Sequence, residues 1–192
     1  MRHLRPAIVS LAVLTILTGV VYPLLVTGIA QTFFRSKASG SLIRQGGTVV
    51  GSSLIGQAFA DPAHFWGRPS ATARIPYDAS ASSGANLGPS NPALLGAVEA
   101  RVKALRALDP GNDTPVPVDL VTASASGLDP HISLAAANYQ AGRVARASGL
   151  AESQVRALVS AHCRGRTLGL VGEPVVNVLE LNLALDELRA KR

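Results

Sequence analysis

Residues 7–34 form an apolar run that contains no charged side chain. At about 1.5 Å per residue, a helix of this length reaches roughly 42 Å, which is enough to cross a hydrocarbon core of about 30 Å with some tilt. A core helix of a soluble protein would show a polar face at helical spacing, and this run shows none. Pro23 removes one backbone donor near its middle, which predicts a kink. The run therefore predicts a transmembrane helix.

A cleaved signal peptide is the alternative interpretation of this run. Arg2 and Arg5 give a basic start, and residues 28–30 resemble a small-x-small cleavage site. The apolar run is much longer than the roughly 7–15 residues of a signal-peptide apolar region, and it continues beyond that site. We therefore favour a retained anchor.

The orientation of the anchor is encoded less strongly. Arg2 and Arg5 at one end face Arg35 and Lys37 at the other, so the positive-inside rule gives only a slight preference. A very short cytoplasmic tail is the simpler arrangement. The predicted organisation is a cytoplasmic tail over residues 1–6, a transmembrane helix over 7–34 and an extracytoplasmic domain over 35–192.

Charge and composition narrow the choice of partners. The net charge is +6, but the 18 basic residues are scattered, and aromatic residues make up only 4% of the chain. Nucleic-acid binding by base stacking needs aromatic residues interleaved with basic ones, so we expect no nucleic-acid partner. The basic character instead fits a surface near anionic lipid or a partner subunit.

Helix-capping patterns organise the rest of the chain. Asn91-Pro92 and Asp129-Pro130 each pair a capping side chain with a proline that fits the first helical turn. Asn177 and Glu180 form a capping-box pair. The predicted elements are short strands within 46–56, at 118–121 and at 167–171, and helices over 92–108, 132–147, 152–162 and 177–188. The predicted fold class is α+β, with helices mainly in the second half.

A long segment between these elements, residues 61–92, is rich in Pro, Gly, Ser and Ala. Loops of this length are unusual in compact domains unless they are functional or disordered. The segment carries Phe65, Trp66, Arg68 and Tyr77, residue types that anchor protein interfaces. We expect it to contact a partner protein, and the alternative is a loop that folds onto its own domain.

The stretch from Val121 to His131 is a second candidate site. A predicted strand passes through small residues into a predicted helix N-terminus, where free amides can bind an anion. The hydroxyl groups of such a turn also satisfy its own backbone, which is the structural alternative. Asp129 favours that alternative, because its carboxylate would repel a phosphate.

No pattern in the sequence predicts a self-contained enzyme. The four histidines and the single Cys163 are not spaced as metal ligands. His162 and Cys163 are adjacent, and adjacent residues on a helix do not face each other. The nucleophile-elbow, Walker and dinucleotide-binding motifs are all absent from the sequence. We therefore expect no catalytic residues and no metal.

A series of short motifs runs along almost the whole chain. The motifs are Leu4-Arg5-Pro6-Ala7, Val21-Tyr22-Pro23-Leu24, Gly40-Ser41-Leu42-Ile43, Gly51-Ser52, Leu54-Ile55-Gly56-Gln57, residues 67–72, Asn86-Leu87, Ser90-Asn91-Pro92, residues 121–129, Gly172-Glu173-Pro174, Val176-Asn177 and residues 181–186. In this order and spacing they resemble the KdpC family, the C subunits of bacterial Kdp potassium-transporting P-type ATPases. Asp78 and Ala85 depart from the family pattern, which has Asn and Ser there.

The resemblance implies a non-catalytic, single-span subunit of a pump in the bacterial inner membrane. Its implied partners are a channel-like potassium-binding subunit, a P-type ATP-hydrolysing subunit and a small membrane subunit, with the main domain periplasmic. The family is also described as a catalytic chaperone that raises the ATP affinity of the P-type subunit. By that resemblance, the nucleotide-binding residues are Ser124, Ser126, Gly127 and Gln140. No tightly bound cofactor is implied, and ATP enters only through the partner subunit.

These two implications conflict, because ATP is cytoplasmic and a periplasmic domain cannot touch it. We give priority to the predicted topology, in which any effect on ATP affinity passes through the membrane subunits. The alternative function is a membrane-anchored extracytoplasmic module that binds a small anion or a nucleotide.

Overall fold

The computed structural model describes residues 2–191. The chain divides into two compact units, with the boundary between Leu42 and Ile43.

The first unit is dominated by one long helix. It comprises α1 (Leu4–Ile16), a π-helical turn (Leu17–Val21) and α2 (Tyr22–Phe33), and it is followed by the short helix α3 (Arg35–Ala38). Leu4–Phe33 spans 30 residues, none of them buried, and its most apolar 18-residue window has a mean hydropathy of 2.3, so the helix is long and apolar enough to cross a membrane. The π-helical turn lies directly before Pro23, where the sequence predicts irregularity.

The second unit mixes short strands with four helices among its described residues. A hairpin of β1 (Leu42–Gln45) and β2 (Thr48–Ser52) turns at Gly46 and Gly47, which both have positive φ as such turns require. The later elements are α4 (Pro92–Leu108), β3 (His131–Ser133), α5 (Leu134–Ser148), α6 (Glu152–Ala161), β4 (Cys163–Arg164), β5 (Val175–Asn177) and α7 (Val178–Ala190). The predicted α+β class, with helices in the second half, is confirmed.

The core lies between the second sheet and the C-terminal helices. That sheet has the order β3-β5-β4, and both pairings are antiparallel. Ile132 pairs with Val176, and these two side chains are at most 1% exposed. Helices α5, α6 and α7 contribute the largest part of the buried cluster, including Val144, Val155 and Leu181, each 0% exposed.

Two of the predicted helix starts are confirmed at the level of the capping bond. The Asn91 side chain accepts from the Ala93 N–H, and the Asn177 side chain accepts from the Glu180 N–H. Helix α6 also lies within one residue of its predicted bounds. These signals are short-range, so they act before tertiary contacts form.

Other local predictions were wrong. Residues 118–120 form a 3₁₀ turn and not a strand, and Asp119 from this turn accepts from the Ser133 N–H at 2.7 Å. Residues 167–171 form a turn closed by one bridge, and the strand lies at Val175–Asn177. Asp129 does not cap a helix, because β3 follows it and α5 begins only at Leu134, capped by Ser133.

Candidate functional site

The segment 61–92 packs around the turn at residues 124–129, so the structure brings the two candidate sites together. Ser70 Oγ donates to Gly127 O at 2.8 Å, and the Ser83 N–H donates to Ser126 O at 3.0 Å. Gly127 has φ +69°, and a Cβ there would lie 2.7 Å from Ser83 O. Only glycine fits this close approach with this backbone conformation.

Arg68 joins the segment to the turn. Its Nη1 donates to Asp129 Oδ2 at 3.2 Å, and its Nη2 donates to Ala123 O at 3.3 Å. Tyr77 approaches the same residue from the other side, because its hydroxyl donates to Arg68 O at 2.6 Å. Arg68 therefore holds both its own loop and the turn.

Burial and charge set the ionisation of this cluster. Burial, together with the negative charge of Asp129, raises the pKa of Tyr77 to about 12 against a smaller opposite effect of Arg68. Tyr77 is thus neutral at neutral pH and keeps its hydroxyl proton for Arg68 O. Burial alone would raise the pKa of Asp129, but hydrogen bonds from His131 and the charge of Arg68 outweigh it, so that pKa is lowered from 3.8.

The lowered pKa of Asp129 predicts a pH-dependent contribution to stability. A carboxylate whose pKa is lower in the folded state stabilises the fold above its unfolded pKa, and that contribution is lost as the pH falls through the folded pKa. We expect Asp129→Asn to lower the free energy of unfolding at pH 7, and the difference from the unmodified chain to shrink at pH values below 3.8. Urea unfolding at pH 7 and pH 3 measures it.

Asp113→Asn is the matched control for this prediction, because Asp113 is exposed. It should change stability little at either pH. A difference for Asp129→Asn that is as large at pH 3 as at pH 7 would contradict the ionic role of Asp129.

The predicted nucleotide residues of the turn are engaged with the turn's own backbone. Ser124 Oγ accepts from the Gly127 N–H at 3.0 Å, and Ser126 Oγ accepts from the Leu128 N–H at 3.1 Å. A depression of about 560 Å³ beside them is lined by Leu54, Arg68, Ser124, Ala125, Ser126, Leu128, Asp129 and Pro130. Because no helix begins at Asp129, the helix dipole that motivated anion binding is missing.

Gln140 lies apart from that depression, on α5, and is only 1% exposed. Its side-chain amide forms two hydrogen bonds with the backbone of Trp66. Oε1 accepts from the Trp66 N–H at 2.9 Å, and Nε2 donates to Trp66 O at 3.1 Å. Arg143 donates to the same Oε1 at 2.8 Å. The structure therefore shows Gln140 in the core, hydrogen-bonded to the loop.

Asn182 on α7 makes the same arrangement with the preceding residue. Its Oδ1 accepts from the Phe65 N–H at 2.8 Å, and its Nδ2 donates to Phe65 O at 2.9 Å. We call the side-chain amides of Asn182 and Gln140, together with Arg143, the amide clamp. Arg143 belongs to it because it donates to Gln140 and to the carbonyls of Pro62 and His64 in the same loop. They supply hydrogen bonds that a strand partner would otherwise provide to this loop.

Of the four residues predicted at a partner surface, Phe65 and Trp66 are held by this clamp, and Arg68 and Tyr77 lie at the turn described above. Phe65 is 0% exposed within the core, and Trp66 packs against it with Arg143 Cζ 5.1 Å from the ring centroid. Arg68 and Tyr77 are half-buried. Their contact with a partner stays a prediction. Asn182 and Arg143 were not predicted as site residues, because a polar residue on a helix does not show from the sequence that it is buried.

Side chains that could together bind a metal ion are not found in residues 2–191. Within that range, no group of three or more His, Cys, Asp and Glu side chains could hold a metal ion. The polar candidate side chains and Trp66 form hydrogen bonds with this chain's own backbone, whereas Phe65 packs in the core. The site is therefore a structural junction between the loop, the turn and helices α5 and α7.

The fold and this junction define a class of protein, an α+β domain that follows one helix apolar enough to span a membrane. Residues 4–187 match the family model described as KdpC: K+-transporting ATPase, c chain. The chain is 66% identical over 189 residues to the potassium-transporting ATPase KdpC subunit of Variovorax paradoxus, covering 98% of both proteins. It is 65% identical over 187 residues to that of Sorangium cellulosum, covering 97% of this chain and 98% of the relative. The chain belongs to the KdpC family.

Proposed function

We propose that this chain is a non-catalytic accessory subunit that assembles and stabilises a potassium-transporting ATPase. The observation that carries the proposal is the pairing of one spanning helix with a domain whose candidate residues all support its own fold. In this assembly the chain contacts the channel-like potassium-binding subunit, the ATP-hydrolysing subunit and the small membrane subunit.

The topology we propose is a cytoplasmic N-terminus, a single pass through the inner membrane and a periplasmic main domain. Residues 1–6 form the tail, residues 7–34 the membrane span and residues 35–192 the domain. The chain raises the ATP affinity of the ATP-hydrolysing subunit through the membrane subunits. Supporting this, Gln140 is buried and the hydroxyls of Ser124 and Ser126 accept from backbone amides.

A C-terminal fusion tests the topology. We expect an alkaline phosphatase reporter after Arg192, which is active only in the periplasm, to be active, and a cytoplasmic reporter at the same point to be inactive. The reverse result would contradict the proposed topology. The main domain would then lie in the cytoplasm, where it could bind ATP directly.

Deletion of the chain tests the role in assembly. We expect the remaining subunits to purify as an unstable complex with little potassium-stimulated ATP hydrolysis and a raised KM for ATP. Full-length chain supplied in trans should restore the stability of the complex, its potassium-stimulated ATP hydrolysis and its KM for ATP. An intact and fully active complex without this chain would show that it is not an assembly subunit.

The second function, a membrane-anchored module for a small anion or a nucleotide, has the depression beside Ser124 in its favour. Calorimetry of the full chain in detergent with ATP and with inorganic phosphate tests it. Heat that disappears in Ser124→Ala would favour this function, and no heat would remove its support.

A further inference from the structure

An apolar turn projects from the second unit between β4 and β5. Leu168 is 92% exposed, Leu170 is 80% exposed and Val171 is 68% exposed. We call residues 167–171 the apolar turn. These three neighbouring aliphatic side chains gain little burial within this chain, and contiguous exposed apolar surface of this kind marks interaction sites.

Hydrogen bonds and an ion pair hold the apolar turn in one shape. Thr167 and Val171 exchange two backbone hydrogen bonds, of 2.8 Å from the Thr167 N–H and 3.1 Å from the Val171 N–H. Arg166 and Glu173 pair at 2.8 Å just outside these residues. These bonds fix the conformation of the turn before it binds a partner. The loss of conformational entropy on binding is therefore smaller.

The backbone of the turn is strained at its most exposed residue. Leu168 has φ +55° and Gly169 has φ +73°. Asn and Gly are the residues that suit this left-handed conformation, and an aliphatic side chain is uncommon there. At 92% exposure, Leu168 makes few contacts that could offset the strain within this chain. Burial of Leu168 against a partner would offset this strain.

The charges around the turn favour a protein over a lipid surface. Surface segments that bind anionic membranes carry free Lys or Arg beside aromatic residues or leucines. Here Arg166 is paired with Glu173 and Arg164 with Glu180, at 2.8 and 2.7 Å. The apolar turn contains no aromatic residue. The residues that flank the apolar turn are charge-paired and its exposed side chains are aliphatic. The turn therefore matches an apolar pocket on a protein, surrounded by residues without net charge.

We propose that the apolar turn inserts Leu168 and Leu170 into an apolar pocket on another subunit of the potassium-transporting ATPase. The choice of partner rests on the proposed function, in which this chain is a subunit of that assembly. The turn acts as a second attachment point in addition to the membrane span. Lipid and a second copy of this chain are the alternative partners that the following experiment distinguishes from a subunit.

Photocrosslinking in the assembled complex tests this proposal. Leu168 is replaced by p-benzoylphenylalanine in the full chain, which is expressed with the other subunits and irradiated in membranes. We expect a crosslink to one other subunit that exceeds the yield from the same probe at Leu95, an exposed leucine on α4. Crosslinks to lipid, to a second copy of this chain, or at no more than the Leu95 yield would overturn the proposal.

Leu168→Asn supplies a second measurement that does not endanger folding, because Asn accepts positive φ more readily than Leu. We expect its complex to release this chain about tenfold faster or more after detergent dilution, as for an interface anchor. Leu95→Gln should release it at the unmodified rate. An unchanged rate for Leu168→Asn overturns the apolar turn as an anchor. Failure of the proposed function would give a different result. In that case the complex would stay intact when the whole chain is deleted.

Discussion

Phe65→Ala should lower the free energy of unfolding of the second unit by about 3–5 kcal/mol, the usual cost of truncating a buried phenylalanine. Phe65 is 0% exposed and belongs to the main core cluster. Its backbone is bonded to Asn182, so the loop has little freedom to collapse into the space left behind. Urea unfolding of the full chain in detergent, followed by circular dichroism, measures the loss.

Trp66 provides an independent probe of the same event, because it is the only tryptophan in the chain. Its fluorescence should change in the same transition as the circular dichroism if loop and helices unfold together. Leu95→Ala is the control, since Leu95 is 53% exposed and should cost far less. A Phe65→Ala variant as stable as this control would show that Phe65 does not support the fold.

The second large effect is expected for Gln140→Leu. The substitution keeps a similar volume but leaves the Trp66 N–H and carbonyl without their partners and removes an acceptor from Arg143. Buried polar groups left unpaired cost about 1–3 kcal/mol each, so we expect a loss of about 2–5 kcal/mol. Urea unfolding without nucleotide measures it.

Asn182→Leu is the matched variant for interpreting any nucleotide effect of Gln140. It removes the equivalent bonds from Phe65 and lies outside the predicted nucleotide residues. If both variants raise the KM of the assembled ATPase for ATP equally, Gln140 acts through the fold. A rise for Gln140→Leu alone, at equal stability, would indicate a separate role in nucleotide affinity.

Ser126→Ala should leave stability almost unchanged, because Ser126 is exposed.

Much of the architecture could be predicted where the signal is local. The apolar run predicts a helix over residues 7–34, where the structure has one at Leu4–Phe33, and Asn91 and Asn177 mark two helix starts correctly. The same reasoning failed at Asp129, because a capping side chain also suits the start of a strand. There Asp129 accepts from the His131 N–H and pairs with Arg68, which lies far away in sequence.

The short strands could not be located from local pattern. Strands β3 and β5 have three residues each, too few for an alternating pattern to be recognised. What defines them is the pairing of Ile132 with Val176 in the core. The apolar run at 167–171 resembles a strand better than either, yet it is exposed and turns back on itself.

The sequence by itself determined the long apolar helix, the fold class and the family, because each depends on an uninterrupted run, a cap or a series of motifs. Only the tertiary structure decided how the segment 61–92 is held. Trp66 meets Gln140 across 74 residues of sequence, and Phe65 meets Asn182 across 117. A side-chain amide that pairs with a distant backbone leaves no periodic pattern, so its partner is set only when the core packs.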